Sequence, residues 1–511
     1  MMVIVFYFAA LVAVLYLVAK IAPTRDSSSP EYKPSDGTPK EKTLKRLMEP
    51  TEDCLEELHQ LGAGNVATVL RLCSKISLST DHVNEALEHL LRKHPLLRVA
   101  IAREACDSSS KRFFQEVCVD VTKVLTRNEK SANHWKQVFE ESCGVVFDTT
   151  TGPLWSATWL QECFDYNSNT YNNTFIFICH HAIVDGTSAL NIAKHFTDSL
   201  NFIAEGNDEF DYNSYPLTPG LHTLLARDLD WKTWQKCLMI PSILKLCLRL
   251  FLPLQARFSS QDLFLSNFPP VSLKFPEVES RTRVILMRFS EEEVGQLVNC
   301  ARQNNSTVSG ALSVACHIAL VKMVQDGDQL GKEIDIAWKC AVNCRRTIES
   351  GLNENYLGCF VSAFYHKLKV SSNQENFWKL AAKTSAEIKN SVTKGEHLKF
   401  LWIGPLIEAK DAAKATLFTE LHLKSGTSEV CNTISNIGRY DWPECSDITY
   451  RVDEAFFLSS THLLKSTFNH FITTTRGKLF WAACYNSHVV METTAERYLE
   501  ETRNILIDAI C

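Results

Sequence analysis

The sequence lacks the motifs by which several large enzyme classes are recognised. It has no Gly-x-Ser-x-Gly elbow, no Walker phosphate loop, no His-Glu-x-x-His and no dinucleotide-binding glycine fingerprint. Serine-hydrolase, nucleotide-driven ligase, zinc-protease and nicotinamide chemistry therefore lack their usual signatures. Basic runs are missing too: 53 Lys and Arg stand against 59 Asp and Glu, a net charge of −6. That balance argues against nucleic acid as a partner. The 18 cysteines include no Cys-x-x-Cys pair and no Cys/His cluster with zinc spacing. Scattered among apolar neighbours, they read as buried thiols of a reducing compartment, neither a disulfide framework nor a metal site. Internal repeats are absent.

What is present is an ordinary folded composition, 45% hydrophobic and 22% charged over 511 residues. That length suffices for two units that each bury a sizeable core. Residues 1–19 are apolar apart from Tyr7 and Tyr16. At 1.5 Å per residue such a helix spans about 28 Å, close to the hydrocarbon thickness of a bilayer. No Lys or Arg precedes the run, whereas Lys20, Arg25, Lys33 and Lys40 follow it. The positive-inside rule then predicts an uncleaved transmembrane anchor over 1–22 with the body in the cytoplasm, as in a single-pass protein of the endoplasmic reticulum. A cleaved signal peptide is the alternative, although it would carry a positive start and a shorter apolar core. Glycosylation sequons begin at Asn172, Asn304 and Asn305. Residues 23–43, rich in Ser and Pro, read as a flexible linker.

The rest of the chain is organised around Asn173–Gly186. Phe175-Ile176-Phe177-Ile178-Cys179 is a short apolar run with the length of a buried strand. It ends in His180 and His181, Asp185-Gly186 signals a turn, and Thr187-Ser188 can cap the helix that follows. Ala189, Leu190, Ile192, Ala193, Phe196 and Leu200 then fall at helical spacing. The prediction is strand, loop, helix, with both histidines on the loop. A histidine at a strand end titrates near working pH and can accept a proton from an alcohol, amine or thiol. Elsewhere, Val66–Leu78, Phe113–Val121, Trp155–Leu160, Arg283–Phe289, Asp335–Val342 and Lys478–Tyr485 read as strands. Helices are predicted from Asp81, from a capping box at Ser290-Glu293, from Thr307 and over 490–510. The segment 231–253, rich in Trp and Leu but broken by lysines and Pro241, fits either a membrane-surface helix or an interdomain helix.

His180-His181-Ala182-Ile183-Val184-Asp185-Gly186 resembles the His-His-x-x-x-Asp-Gly signature of the condensation-domain and chloramphenicol-acetyltransferase-like acyltransferases. That superfamily also holds alcohol acetyltransferases, wax ester synthases and plant BAHD enzymes. Leu91–Arg98 resembles the Arg-His-x-x-Leu-Arg element of condensation domains, Asn343-Cys344-Arg345-Arg346 the Val-Asn-x-Arg element, and Gly358-Cys359-Phe360-Val361 the Gly-x-Phe-Val element. Ser435-Asn436-Ile437-Gly438-Arg439 is similar to an element of alcohol acetyltransferase relatives. The absence of Asp-Phe-Gly-Trp-Gly sets the chain apart from the plant subgroup. The resemblance covers about 45–511 and is nearest the alcohol O-acetyltransferase and wax ester synthase-like members.

The resemblance implies an α/β fold of two chloramphenicol-acetyltransferase-like halves, 44–204 and 281–511, each a sheet flanked by helices. A channel would run between them, and 205–280 would connect them. It implies His181 as general base. Asp185 would pair with Arg345, or failing that Arg346, and shape the loop together with Gly186 and a structural His180. Gly358, Ser435 and Asn436 become channel candidates. It further implies that no bound cofactor or metal is needed; with no carrier-protein domain evident in the sequence, acyl-CoA is the expected co-substrate, and a monomer is expected. The apolar anchor together with the apolar 231–253 segment suggests a small lipophilic acceptor or a long acyl chain, hence ester formation on an alcohol near the membrane. Amide formation, or a non-catalytic protein that binds a lipid or a partner, are the alternatives.

Overall fold

The computed structural model describes residues 44–511 except 107–108, 208–212, 229–261, 274–279, 326–331, 349–350, 373–375, 404–408, 418–419, 427, 429 and 443–447. The expected anchor at 1–22, the linker 23–43 and the segment 231–253 lie outside the described residues. Among the described residues, no single helix is long and apolar enough to cross a membrane.

Strand β8 (Thr170–Cys179) is central because its apolar run serves two cores at once. Phe175, Phe177 and Cys179 face one buried cluster, while Ile176 and Ile178 face another. Alternating side chains point to opposite faces, so a strand covered on both sides reads as continuously apolar. Its neighbours are β2 (Val66–Ser74) and β6 (Trp155–Gln161), both antiparallel to it, with Cys179 opposite Val66 and Trp155. Strand β5 (Leu125–Ser131) extends the sheet beyond β6, and β7 (Cys163–Asp165) folds back on β8.

The other edge of this sheet comes from far along the chain. Strand β13 (Arg451–Ser459) pairs antiparallel with β2, from Arg451 opposite Cys73 to Ser459 opposite Val66. The second large sheet runs β11 (Val361–Val370), β10 (Ile334–Asn343), β12 (Val430–Tyr440), β14 (Ser466–Thr475), β15 (Lys478–Asn486) and β9 (Thr282–Phe289). It is mixed, since β12 lies parallel to both β10 and β14 while the remaining pairs are antiparallel. A small sheet joins β1 (Lys45–Leu47), β4 (Ser109–Glu116) and β3 (Val99–Cys106) in the order β1-β4-β3.

Helices cover the sheets. α1 (Pro50–His59), α2 (Thr80–Lys93) and α4 (Gly186–Ala204) belong to the first half, together with the short α3 (Trp135–Ser142). In the second half α5 (Glu291–Gln303) opens on the Ser290–Glu293 capping box, and α6 (Val308–Val324) is capped by Thr307. The helix expected over 490–510 is α7 (Glu492–Ile510). The two large sheets meet over a shared core in which Val69, Ile176 and Ile178 join Phe456, Phe480 and Ala482. Burial of such side chains stabilises by roughly 1.5–3 kcal/mol each, so this core joins the halves firmly.

Three local expectations need correction. The helix after the histidines is capped not by Thr187-Ser188 but by Asp185, whose Oδ1 accepts the Ser188 amide at 2.8 Å. The strand expected at 113–121 is shifted to 109–116, because Asp120 caps a helical turn at Val121–Lys123. β2 stops at Ser74, whose hydroxyl donates to the Ile76 carbonyl at 2.6 Å and turns the chain.

Candidate active site

The loop from His180 to Asp185 leaves the end of β8 and enters α4. Asp185 is buried at 3% exposure and makes three polar contacts. Its Oδ1 caps α4, and its Oδ2 accepts from Arg345 Nη1 at 2.6 Å and from the Phe360 amide at 2.9 Å. A carboxylate at a helix N-terminus also meets the positive end of the helix dipole. Burial works against the charge, but Arg345 and the two amides outweigh it and hold the carboxyl below the usual range.

Arg345 sits in a helical turn after β10, with its own amide bonded to Asn343 Oδ1 at 3.0 Å. It is 5% exposed, and its guanidinium packs over the Phe360 ring at 4.7 Å. Nη2 donates to Ser188 Oγ at 2.8 Å and more loosely to the Tyr356 carbonyl at 3.4 Å. Ser188 closes the knot: its hydroxyl donates to the Gly358 carbonyl at 2.9 Å and accepts the Gly358 amide at 3.1 Å. Gly358 has no room for a side chain, since a Cβ would run into the Phe360 ring. Gly186 is equally confined: a Cβ there would lie 2.6 Å from Phe457 of β13 and 3.1 Å from Ile437 of β12.

His181 is half-buried on the surface of this knot. Its Nδ1 lies 2.7 Å from the Val184 carbonyl, and a carbonyl can only accept, so Nδ1 carries the proton. Nε2 is left with its lone pair and no hydrogen-bond partner among the described residues. Burial lowers the imidazole pKa below 6.5, although the Val184 carbonyl and Asp185 pull the other way. The ring is therefore neutral at neutral pH, with a basic nitrogen available. Cys359 Sγ approaches Nδ1 at 3.8 Å, but burial pushes this thiol well above its usual range, and it stays protonated.

His180, the other histidine, is fully buried and points away from the knot. Its Nε2 lies 3.0 Å from Glu56 Oε2, and its Nδ1 accepts the Ala182 amide at 3.0 Å. Ser435 and Asn436 lie on β12. Asn436 donates to Ser309 Oγ at 3.0 Å and accepts the Gly438 amide at 2.8 Å, at a break in the β12–β14 register. Ser435 stands opposite Phe471, and among the described residues no hydrogen bond links it to His181.

The family model for alcohol acetyltransferases matches residues 71–501. The chain belongs to the alcohol acetyltransferase family. No curated protein sequence matches it. Among solved structures, trichothecene 15-O-acetyltransferase TRI3 from Fusarium sporotrichioides is similar with a TM-score of 0.61 at 12% identity, over 92% of this chain and 96% of that one. Polyketide synthase associated protein 5 from Mycobacterium tuberculosis gives 0.58 at 12% identity, over 91% and 98%. The first condensation domain of the calcium-dependent antibiotic synthetase gives 0.59 at 12% identity, over 91% and 96%. These likenesses are of fold: helix-flanked mixed sheets, as the sequence resemblance implies.

As a member of the alcohol acetyltransferase family, the protein is an acyltransferase. Around its histidine loop the structure brings together Asp185, Gly186, Arg345 and Gly358, and adds Ser188, Cys359 and Phe360, which the sequence marked only as a possible cap and as neighbours of Gly358. The spacing of Ser188, three residues after an N-capping aspartate, was a usable sign of its bond to that cap. Glu56 and His59 were also missed. They sit 124 and 121 residues before His180, and nothing local marks them as neighbours of the motif.

Proposed function

We propose that this alcohol acetyltransferase-family protein moves an acyl group from an acyl-CoA to the hydroxyl of a lipophilic alcohol, with His181 as general base. The observation that carries the reading is the tautomer of His181. With Nδ1–H committed to Val184, Nε2 is the nitrogen able to take a proton. In this reading Nε2 accepts the alcohol proton as the oxygen attacks the thioester carbonyl. The tetrahedral intermediate then collapses, and the same proton passes from Nε2–H to the departing thiolate of CoA. The products are an ester and free CoA, and His181 returns neutral.

Asp185 and Arg345 take no part in the proton transfer. They neutralise one another in a buried pair and hold the loop, so that the imidazole meets its substrate in one orientation. General-base help contributes roughly 10²–10⁴ in rate, with positioning supplying much of the rest. An N-terminal anchor would keep the body beside the membrane where lipophilic alcohols partition. Purified protein given a panel of acyl-CoAs and a lipid extract, followed by mass spectrometry, tests the reading. New esters that disappear with His181→Ala support it, while amides as the sole products, or no turnover of any thioester, would refute it.

A further inference from the structure

A second buried charge lies behind the histidine loop. Glu56 on α1 is fully buried. Its Oε2 faces His180 Nε2 at 3.0 Å, and its Oε1 accepts from Gln60 Nε2 at 2.9 Å and from Thr149 Oγ1 at 3.0 Å. Burial would push this carboxyl up, but the bond to His180 and the other donors overcome it and hold it down to about 2. Glu56 is thus an anion at neutral pH.

Each ring nitrogen of His180 is assigned by its neighbour. The Ala182 amide can only donate, so Nδ1 is the unprotonated nitrogen and Nε2–H faces the carboxylate. The opposite tautomer would set N–H against N–H at Ala182 and lone pair against carboxylate at Glu56. The His59 ring lies against that of His180, tilted by 43° with centroids 4.3 Å apart, but does not compete for the carboxylate. Its Nδ1 is engaged by Asn65 at 2.8 Å, and its Nε2 accepts the Phe147 amide at 2.9 Å.

From His180 the bonds continue through the loop. Its ring holds the Ala182 amide, its carbonyl holds the Ile183 amide at 3.1 Å, and the carbonyl of Val184, the residue after Ile183, holds His181 Nδ1–H. We propose that Glu56 is a positioning residue for His181: its charge fixes the tautomer of His180, and through the Ala182 amide it fixes the turn that aims His181 Nε2. The proposal rests on His181 being the general base.

The test uses the full chain, with acetyl-CoA and 1-octanol as probe substrates, and nitrogen NMR of histidine-labelled protein. Glu56→Gln keeps the shape and removes the charge. The expected result is a kcat lower by roughly ten- to hundredfold, as small misplacements of a reacting group produce. KM for both probes stays within about twofold. The His180 Nδ1 resonance moves from the unprotonated towards the protonated range. Thr149→Val, which removes one donor to the carboxylate, moves both readouts the same way by less, and it decides the matter if Glu56→Gln does not fold. Unchanged kcat in a folded variant, a loss confined to KM, or an unmoved His180 signal overturns the proposal. If His181→Ala retains full activity, the general-base reading fails instead, while the His180 signal still reports whether Glu56 sets the tautomer.

Discussion

Arg345 Nη1 donates to Asp185 Oδ2 at 2.6 Å across 160 residues of chain, with both side chains almost wholly removed from water. Breaking a buried pair strands the surviving charge, which costs about 3–5 kcal/mol, far more than an exposed pair is worth. Asp185→Ala and Arg345→Ala should therefore each lower both stability and activity. Because the two act as one unit, the double variant should be little worse than either single one. A double-mutant cycle on Tm and kcat measures this, and additive losses would show that the pair is not the unit that matters. Arg345→Lys should recover little, since an ammonium cannot reach Asp185, Ser188 and Tyr356 in one planar arrangement.

His181 differs in being half-buried, and among the described residues its ring is hydrogen-bonded only to the Val184 carbonyl and the Cys359 thiol. His181→Ala should lower acyl transfer by roughly 10²–10⁴ while leaving Tm nearly unchanged. A folded variant that keeps more than about a tenth of the parent rate is incompatible with a general base of this strength.

The pH dependence follows from the same ring. Nε2 must be unprotonated to act, and burial sets the His181 pKa below 6.5. The rate kcat/KM should rise with pH along a limb whose midpoint lies below 6.5, and be flat through neutrality. Stability should fall in acid through two adjoining windows. Burial lowers His59 to about 4, so between 6.5 and 4 the unfolded chain takes up a proton that the folded chain refuses. Glu56, held at about 2 against 4.5 in the unfolded chain, loses its contribution as pH falls from 4.5 towards 2. His317 and His462, also lowered to about 4 by burial, act in the same direction as His59. Thermal melts at a series of pH values check the sign, and a Tm that is flat or rises between pH 7 and 4.5 would contradict it.

Local signals made much of this architecture legible. The apolar run of β8, the capping box at Ser290 and the cap at Thr307 each name an element from a few adjacent residues. The turn into α4 was read in outline but given the wrong cap, because Asp185 and Ser188 are both good capping residues and only the backbone decides between them. Long-range pairing was out of reach. Arg451–Ser459 joins the first sheet across a separation of hundreds of residues, and no pattern within that strand says which edge it will occupy. Glu56 was hidden for a related reason: a carboxylate on an amphipathic helix reads as solvated until its three donors are in place. Arg345, by contrast, could be named because a resemblance supplied a partner that spacing alone could not.

The remaining prediction concerns topology, which decides the thioester pool within reach. Lys20, Arg25, Lys33 and Lys40 follow the apolar run, which predicts a cytoplasmic body. The sequons make a sharp test because Asn304 and Asn305 are exposed where α5 ends, accessible to a glycosyltransferase if the body were lumenal. Asn172, inside β8 opposite Cys73 and Cys163, is a poor acceptor in the folded chain. Protease added to sealed microsomes should digest the body, and endoglycosidase should leave its gel mobility unchanged. Deleting residues 1–22 should release a folded protein that still turns over short-chain substrates. A protected, glycosylated body would reverse the assignment. The thiols would then face an oxidising lumen, and cytosolic acyl-CoA would have to cross a membrane before His181 could use it.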